Sequence, residues 1–305
     1  MNKQFDFISK RRLFTFISLG ILLVGLLVNV IFGVEMDVTF KGGTMLKYSY
    51  KGEIDTDAAA SFFTEKIGTT ATVEASMSGG VQIINVYSTA VVESEQQQEI
   101  DKAVAETFKD NEMELVNANS LSPRVGGLFF IKCLLAVIIA GAFLVLYVAL
   151  RFRKIGGLSA ALMAILMIVH DLLFVYFAFV VFRIPLNENF VAVMLTILGY
   201  SLNDTIVIYD RIRENRTRMG AKANLNEIVN LSLNQSVRRT FNTSATTLIV
   251  VVTLVIVALT QNLESIISFA VPMLFGVIAG FYSSTFICSP LWAAWMNRRA
   301  LKKKK

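Results

Sequence analysis

LFTFISLGILLVGLLVNVIFGV, residues Leu13–Val34, decides how the rest of the chain is read. Its 22 positions contain no charged residue. About 20 mostly apolar residues cross a bilayer as a helix, whereas the apolar core of a secretory leader needs only ~7–15. Lys10, Arg11 and Arg12 precede the run, as in a leader, but no small-x-small cleavage pattern follows it. The stretch is therefore expected to remain in place as a first membrane-spanning helix.

Five more apolar runs of spanning length follow, near residues 127–150, 156–182, 189–210, 241–260 and 265–292. The composition agrees: 54% of the 305 residues are hydrophobic and only 17% charged, far from the usual soluble balance. Lysine and arginine set the orientation. With the N-terminus inside, the inner segments hold Lys3, Lys10, Arg11, Arg12, Arg151, Arg153, Lys154, Arg211, Arg213, Arg216, Arg218, Lys222, Arg238 and Arg239, and finally Arg298, Arg299 and Lys302 to Lys305. The short outer loops hold only Arg183. Both termini are thus expected in the cytoplasm, and the net charge of +6 reflects topology rather than nucleic-acid binding. The Lys302–Lys305 tail reads as a topology anchor or a contact for anionic lipid headgroups. Lys132, near the outer end of its span, can snorkel to the interface.

The expected organisation is a cytoplasmic segment 1–12, a first span 13–34, an outer domain 35–126, a five-helix membrane domain 127–292 with a cytoplasmic loop 211–238, and a basic tail 293–305. Residues 35–126 are acidic, with fifteen Asp and Glu against seven Lys and Arg. Leu46, Tyr48 and Tyr50 alternate as in a strand, and Ala59, Phe62, Phe63 and Ile67 have helical spacing. Ala71 to Met77 alternates again, Ser78-Gly79-Gly80 reads as a turn, and Val81 to Ser88 as a third strand. Ser94 and Gln97 have the spacing of a capping box opening a helix with Ile100, Val104 and Phe108 on one face. Glu112 to Ala118 closes the series as a strand. The order β-α-β-β-α-β predicts a small α+β, ferredoxin-like domain set on an all-α membrane domain.

Ionisable groups inside a bilayer are costly, so each asks for a reason. Asp204 lies about two turns before the end of the fourth run, with Thr196, Tyr200 and Asn203 on adjoining helical positions. A carboxylate there is held neutral unless a cation or water pairs with it, which makes it a group able to take up and release a proton. A structural hydrogen bond to a neighbouring helix is the competing reading. At the start of the fifth run, Arg239, Asn242, Thr243, Thr246 and Thr247 share a face. Arg239 is either a partner that keeps Asp204 ionised or one more inward-facing charge. His170-Asp171 sits too deep in the third run to reach the headgroups, and reads as an ion path or as a buried hydrogen bond between helices. Asp210 lies among arginines at the interface, where a salt-bridged helix end is expected. One histidine, and two cysteines (Cys133 and Cys288) both within apolar runs, give no grounds for a metal site or a disulfide framework, and no cofactor is expected.

A large outer domain after the first span, followed by five closely connected spans, resembles half of a resistance-nodulation-division transporter. Gly199-Tyr200-Ser201-Leu202-Asn203-Asp204-Thr205, then Asp210-Arg211-Ile212-Arg213-Glu214, is similar to the signature of the SecF family. His170-Asp171 resembles that family's third-span pair, and Arg239-Thr240 with Thr243-Ser244 the start of its fifth span. One place departs: the family usually has Asp-Phe-x-Gly-Gly after the first span, and this chain has Thr39-Phe40-Lys41-Gly42-Gly43, with Asp37 two residues earlier. The resemblance implies a non-enzymatic subunit of the bacterial inner membrane. It implies pairing with SecD, association with the SecYEG channel and often with YajC and the insertase YidC, and contact with a translocating preprotein. It also implies use of a proton or sodium gradient to assist late, ATP-independent export at the outer face. The coupling role falls on Asp204, Arg239 and Asp171.

Two other functions compete with this reading. A homodimeric half-size exporter of small molecules or lipids needs a substrate cavity, for which the outer domain is small. An intramembrane aspartyl protease would use Tyr209-Asp210, but its second signature, Gly-x-Gly-Asp, is absent.

Overall fold

The computed structural model describes residues 5–220, 223–261 and 263–302. Lys3, Lys222 and Lys303 to Lys305, counted above among the inner charges and the tail, lie outside them. Six helices or helical tracts in the described residues are long and apolar enough to cross a membrane. The chain is a multi-pass membrane protein.

Helix α1 (Arg11–Phe32) is apolar nearly all round and buries only Ser18 and Gly25, as a helix facing lipid on most sides does. A short helix α2 (Val38–Lys41) leads into the outer domain, which consists of β1 (Gly43–Tyr50), α3 (Thr56–Ile67), β2 (Ala71–Ser78), β3 (Val81–Ser88), α4 (Ser94–Thr107) and β4 (Glu114–Leu121). The chain then enters α5 (Pro123–Arg151), α6 (Gly157–Val181), α7 (Glu188–Met219) and α8 (Leu225–Thr260). The last span is α9 (Glu264–Tyr282), a π-helical turn Ser283–Cys288, and α10 (Ser289–Lys302). Pro290 accounts for the turn: it has no N–H to donate and its ring displaces the carbonyl four residues back. Helix α6 is the hub, packed against α1, α5, α7 and α9.

The outer domain is one antiparallel sheet in the order β2-β3-β1-β4. Gly79 and Gly80 both have positive φ (59° and 81°), the requirement of the two-residue turn that joins β2 to β3. Leu46, Tyr48, Ile84 and Val86 meet Phe63, Ile100 and Val104 of the two helices in a core of its own. Glu93, not Ser94, stands at the cap of α4, and no side chain caps that helix.

The stretch expected as a loop, 211–238, is mostly helix. α7 continues to Met219 and α8 already begins at Leu225, leaving a short turn at Gly220. The apolar run ends at Asp210, but the helix does not, because its charges satisfy one another along the axis. Glu214 pairs with Arg211 at 2.5 Å and with Arg218 at 2.6 Å. Asn215 donates to Ser232 and Gln235 of α8 at 2.9 and 2.8 Å, so the two extensions are stitched together.

The outer domain is keyed into the bundle at its base. Asp37 caps α2, accepting from the backbone of Thr39 at 2.9 Å and from its hydroxyl at 2.6 Å. Asp37 N–H donates to Leu186, and Leu186 N–H to Glu35, each at 2.9 Å, tying this entry to the loop between α6 and α7. Phe40 is 2% exposed and packs in one apolar cluster with Phe179, Phe190 and Val193. Gly42 (φ 79°) and Gly43 (φ 113°) make the turn into β1; a Cβ on the first would strike the backbone of Pro123, and on the second the carbonyl of Ser88.

Candidate functional site

Asp204 is 3% exposed, in the middle of α7. Its carboxylate accepts from the Ser244 hydroxyl of α8 at 3.4 Å. Among the described residues no cation pairs with it. Arg239 instead is exposed, in a recess between α7 and α8 shared with Asp210, Arg211, Arg213, Glu214 and Gln235. The Arg239–Asp204 pair considered from the sequence is therefore not formed in this arrangement. Arg239 stands five residues before Ser244, ~7.5 Å along the axis at ~1.5 Å per residue.

The other polar residues of these two helices divide by exposure. Asn203, Asn242, Thr243 and Thr246 are exposed, and Tyr200 and Thr247 are half-buried. The threonines satisfy their hydroxyls on their own helix: Thr243 on Arg239 at 3.1 Å, Thr246 and Thr247 on Thr243 at 2.8 and 3.1 Å. Asn203 and Asn242 have no hydrogen-bond partner among the described residues. Unsatisfied carboxamides on the outer surface of membrane helices belong against another protein rather than hydrocarbon. Gly199 is also on this exposed surface, with open space beside it.

A second polar centre lies inside the bundle. Asp171 is fully buried. Its Oδ1 meets His170 Nδ1 at 2.7 Å, and its Oδ2 accepts from Ser201 of α7 and, at 2.8 Å, from Ser283 at the start of the π-helical turn. The other ring nitrogen of His170, Nε2, contacts the hydroxyl of Ser18 on α1. Ser284 donates to the Ser201 carbonyl at 3.1 Å and shares a bond of 2.9 Å with Thr205. Four segments thus converge on the His170–Asp171 pair. The sequence pointed to His170 and Asp171 but not to Ser18, Ser244 or Ser283. Serines are common in apolar spans, and only the packing shows which of them face a charge; the run Ser283-Ser284-Thr285 was the available signal.

Toward the C-terminal part of α7, Asp210 bridges Arg151 of α5 at 3.1 Å and Arg213 at 2.9 Å. Arg211 also donates to Gln235 of α8 at 2.7 Å. These contacts tie α5, α7 and α8 together. No group of three metal-ligating side chains occurs among the described residues.

The profile of the family "Protein export membrane protein SecD/SecF, C-terminal" matches residues 99–298. SecF of Alicyclobacillus acidocaldarius is 33% identical over 306 residues, covering 99% of this chain and 96% of that one. SecDF of Bacillus subtilis is 34% identical over 302 residues, covering 98% of this chain but only 39% of that longer protein. The crystal structure of SecDF from Thermus thermophilus superimposes with a TM-score of 0.80 at 26% identity, over 97% of this chain and 39% of that one. With the six spans, the outer domain and the fourth-span carboxylate in the order described, the chain belongs to the SecD/SecF family of protein-export membrane proteins, on its SecF side.

Proposed function

We propose that this chain is the SecF half of a SecDF complex in a bacterial inner membrane, with both termini cytoplasmic, and that it is not an enzyme. The observation that carries the reading is Asp204, a carboxylate buried in a membrane helix, without a cation, beside an exposed polar surface. That surface, bearing Asn203 and Asn242, is what a second membrane half would cover. SecD is the partner proposed, since relatives exist as SecDF chains of which this one matches 39%. Binding and coupling sites of such repeats lie between the halves.

In the mechanism proposed, a proton or sodium ion from the outer side reaches Asp204. In the neutralised state the carboxyl would stay beside Ser244, away from Arg239. When the ion leaves toward the cytoplasm, the bare carboxylate needs a cation, and Arg239 would move to supply it. The alternation shifts α7 against α8 and the partner half. At ~2.3 kcal/mol per charge per 100 mV, a few ions suffice for a domain movement. The base contacts at Leu186 and Phe40 would carry it to the outer domain, which would then draw a preprotein from the SecYEG exit in a late step without ATP. YajC and YidC are further expected partners, and the basic tail an anchor on anionic lipid.

Gentle solubilisation, pull-down and mass spectrometry test the assembly. Recovery of SecD with SecYEG supports it. Recovery of this chain alone would overturn it and favour a homodimeric transporter.

A further inference from the structure

The serine on α1 is placed in a way that the coupling scheme does not use. Ser18 is 2% exposed in a helix that otherwise faces outward, and it meets the ring of His170. The contact begins a seam between α1 and α6. Gly25 lies against Phe177, so closely that a Cβ there would overlap the ring. Asn29 accepts from Tyr176 at 2.8 Å, and the Phe32 carbonyl from Arg183 at 2.9 Å. Ser18 and Gly25 are seven residues apart, the spacing that keeps one face of a helix against a parallel neighbour. α1 then leads directly into the base of the outer domain.

We infer that Ser18 is a positioning residue for a buried proton-holding pair, His170 and Asp171, separate from Asp204, and that it ties the helix entering the outer domain to the protonation of that pair. The inference deepens the ion-coupling reading given above. Its basis is a count of donors and acceptors. With Asp171 ionised and His170 neutral, Nδ1–H donates to Asp171 and the Ser18 hydroxyl donates to Nε2. When Nε2 takes a proton, its N–H must find an acceptor. A hydroxyl can turn round and accept, pointing its own hydrogen back along the helix toward the Phe14 carbonyl, which it then shares with the Ser18 N–H and with the Tyr282 hydroxyl at 2.8 Å. Serine thereby offers Nε2 a donor in one state and an acceptor in the other; alanine offers neither.

A proton on Asp171 has a different consequence. On Oδ1 the proton reverses the bond to His170 and leaves both serines on Oδ2; on Oδ2 it displaces the donation from Ser201 or Ser283. A proton on the ring leaves α7 and the π-helical turn tied, whereas a proton on Oδ2 frees one of them. Among the described residues, no other charged group is bonded to the pair. α1 contributes Ser18, α7 contributes Ser201, and the last span contributes Ser283 with Cys288 nearby, while Phe174 packs on the imidazole at 4.7 Å and Asp204 is bonded to Ser244.

His170 is the only histidine in the chain, so nitrogen-15 histidine labelling of the full-length protein, carrying a purification tag without histidine, reports one imidazole. In lipid nanodiscs the wild type is expected to show an Nδ1-protonated ring that becomes doubly protonated, reversibly, on acidification. At the same pH, Ser18→Ala is expected to lose at least tenfold of the doubly protonated signal, and Ser18→Thr to restore it. Ser18→Cys, close in volume but a weak acceptor, falls between and covers the case in which the alanine variant does not fold. An unchanged spectrum in Ser18→Ala and Ser18→Cys, or a wild-type ring that never becomes doubly protonated while the protein stays folded, overturns the inference. The readout is the ring itself, so it stands or falls independently of export activity.

Discussion

Asp204 on α7 accepts a single hydroxyl from Ser244 on α8, while the arginine five residues before that serine lies in the recess between the two helices. A buried carboxyl satisfied by a neutral donor, with a cation within one movement of the helix, is an arrangement with two states. In the proposed cycle Arg239 is needed only in the state that lacks the bound ion. Arg239→Gln should therefore lower ion-driven export at least tenfold while leaving the complex assembled. Arg239→Lys should retain part of it, since a lysine carries the charge without the fork of the guanidinium. Export by inverted membrane vesicles under an imposed gradient gives the comparison.

Asn203 and Asn242 are predicted to face the partner half. Replacing both with leucine should leave the chain inserted, since leucine is the residue lipid accepts there, and should reduce the SecD recovered in a pull-down severalfold. Undiminished recovery would place the partner on another face.

The entry to the outer domain should be intolerant of small changes. Gly42→Ala forces a side chain onto a positive φ and against Pro123, a strain of about 1–3 kcal/mol before the clash is relieved. Phe40→Ala opens a void between the outer domain and the bundle, worth about 3–5 kcal/mol for a buried phenylalanine. Hydrogen exchange should show both losses first at residues 35–43 and at the facing loop around Leu186, with the β1–β3 core still protected.

Tyr48 gives the outer domain a dependence on alkaline pH. Burial, and then its hydrogen bond to Asp101 at 2.8 Å, raise its phenol well above the ordinary value. A group whose folded-state value is raised stabilises the fold below its unfolded value, ~10 for tyrosine, and loses that contribution as pH rises beyond it. The sheet should thus loosen above about pH 10. Tyr48→Phe should cost about 1–3 kcal/mol at neutral pH through the lost hydrogen bond and should flatten the alkaline loss. Exchange rates of β1 and β3 amides in both proteins measure it.

Much of this architecture could be read from residues. The alternation of Leu46, Tyr48 and Tyr50 and the length of six apolar runs state the layers directly, because burial in a sheet or a bilayer selects side chains with a fixed period. Helix ends were less legible. α7 and α8 outlast their apolar runs, since Glu214 with its two arginines and Asn215 with Gln235 sustain a helix in water that hydropathy cannot register. The site divided in the same way. Asp204 and Asp171 announced themselves by being charged where charge is costly, whereas Ser18, Ser244 and Ser283 acquire meaning only from what they touch. The Arg239–Asp204 pair was a reading of proximity along the chain; the structure gives Asp204 to Ser244 and leaves Arg239 in the recess with Asp210 and Glu214.

The most direct test of ion coupling is export by vesicles containing the SecDF complex, measured after ATP is exhausted, with and without an ion gradient. Asp204→Asn keeps the hydrogen bond to Ser244 but cannot gain or lose a charge. The account predicts that the variant co-purifies with SecD as the wild type does and loses the gradient-dependent fraction of export. An Asp204→Asn complex whose export still responds fully to the gradient would contradict it.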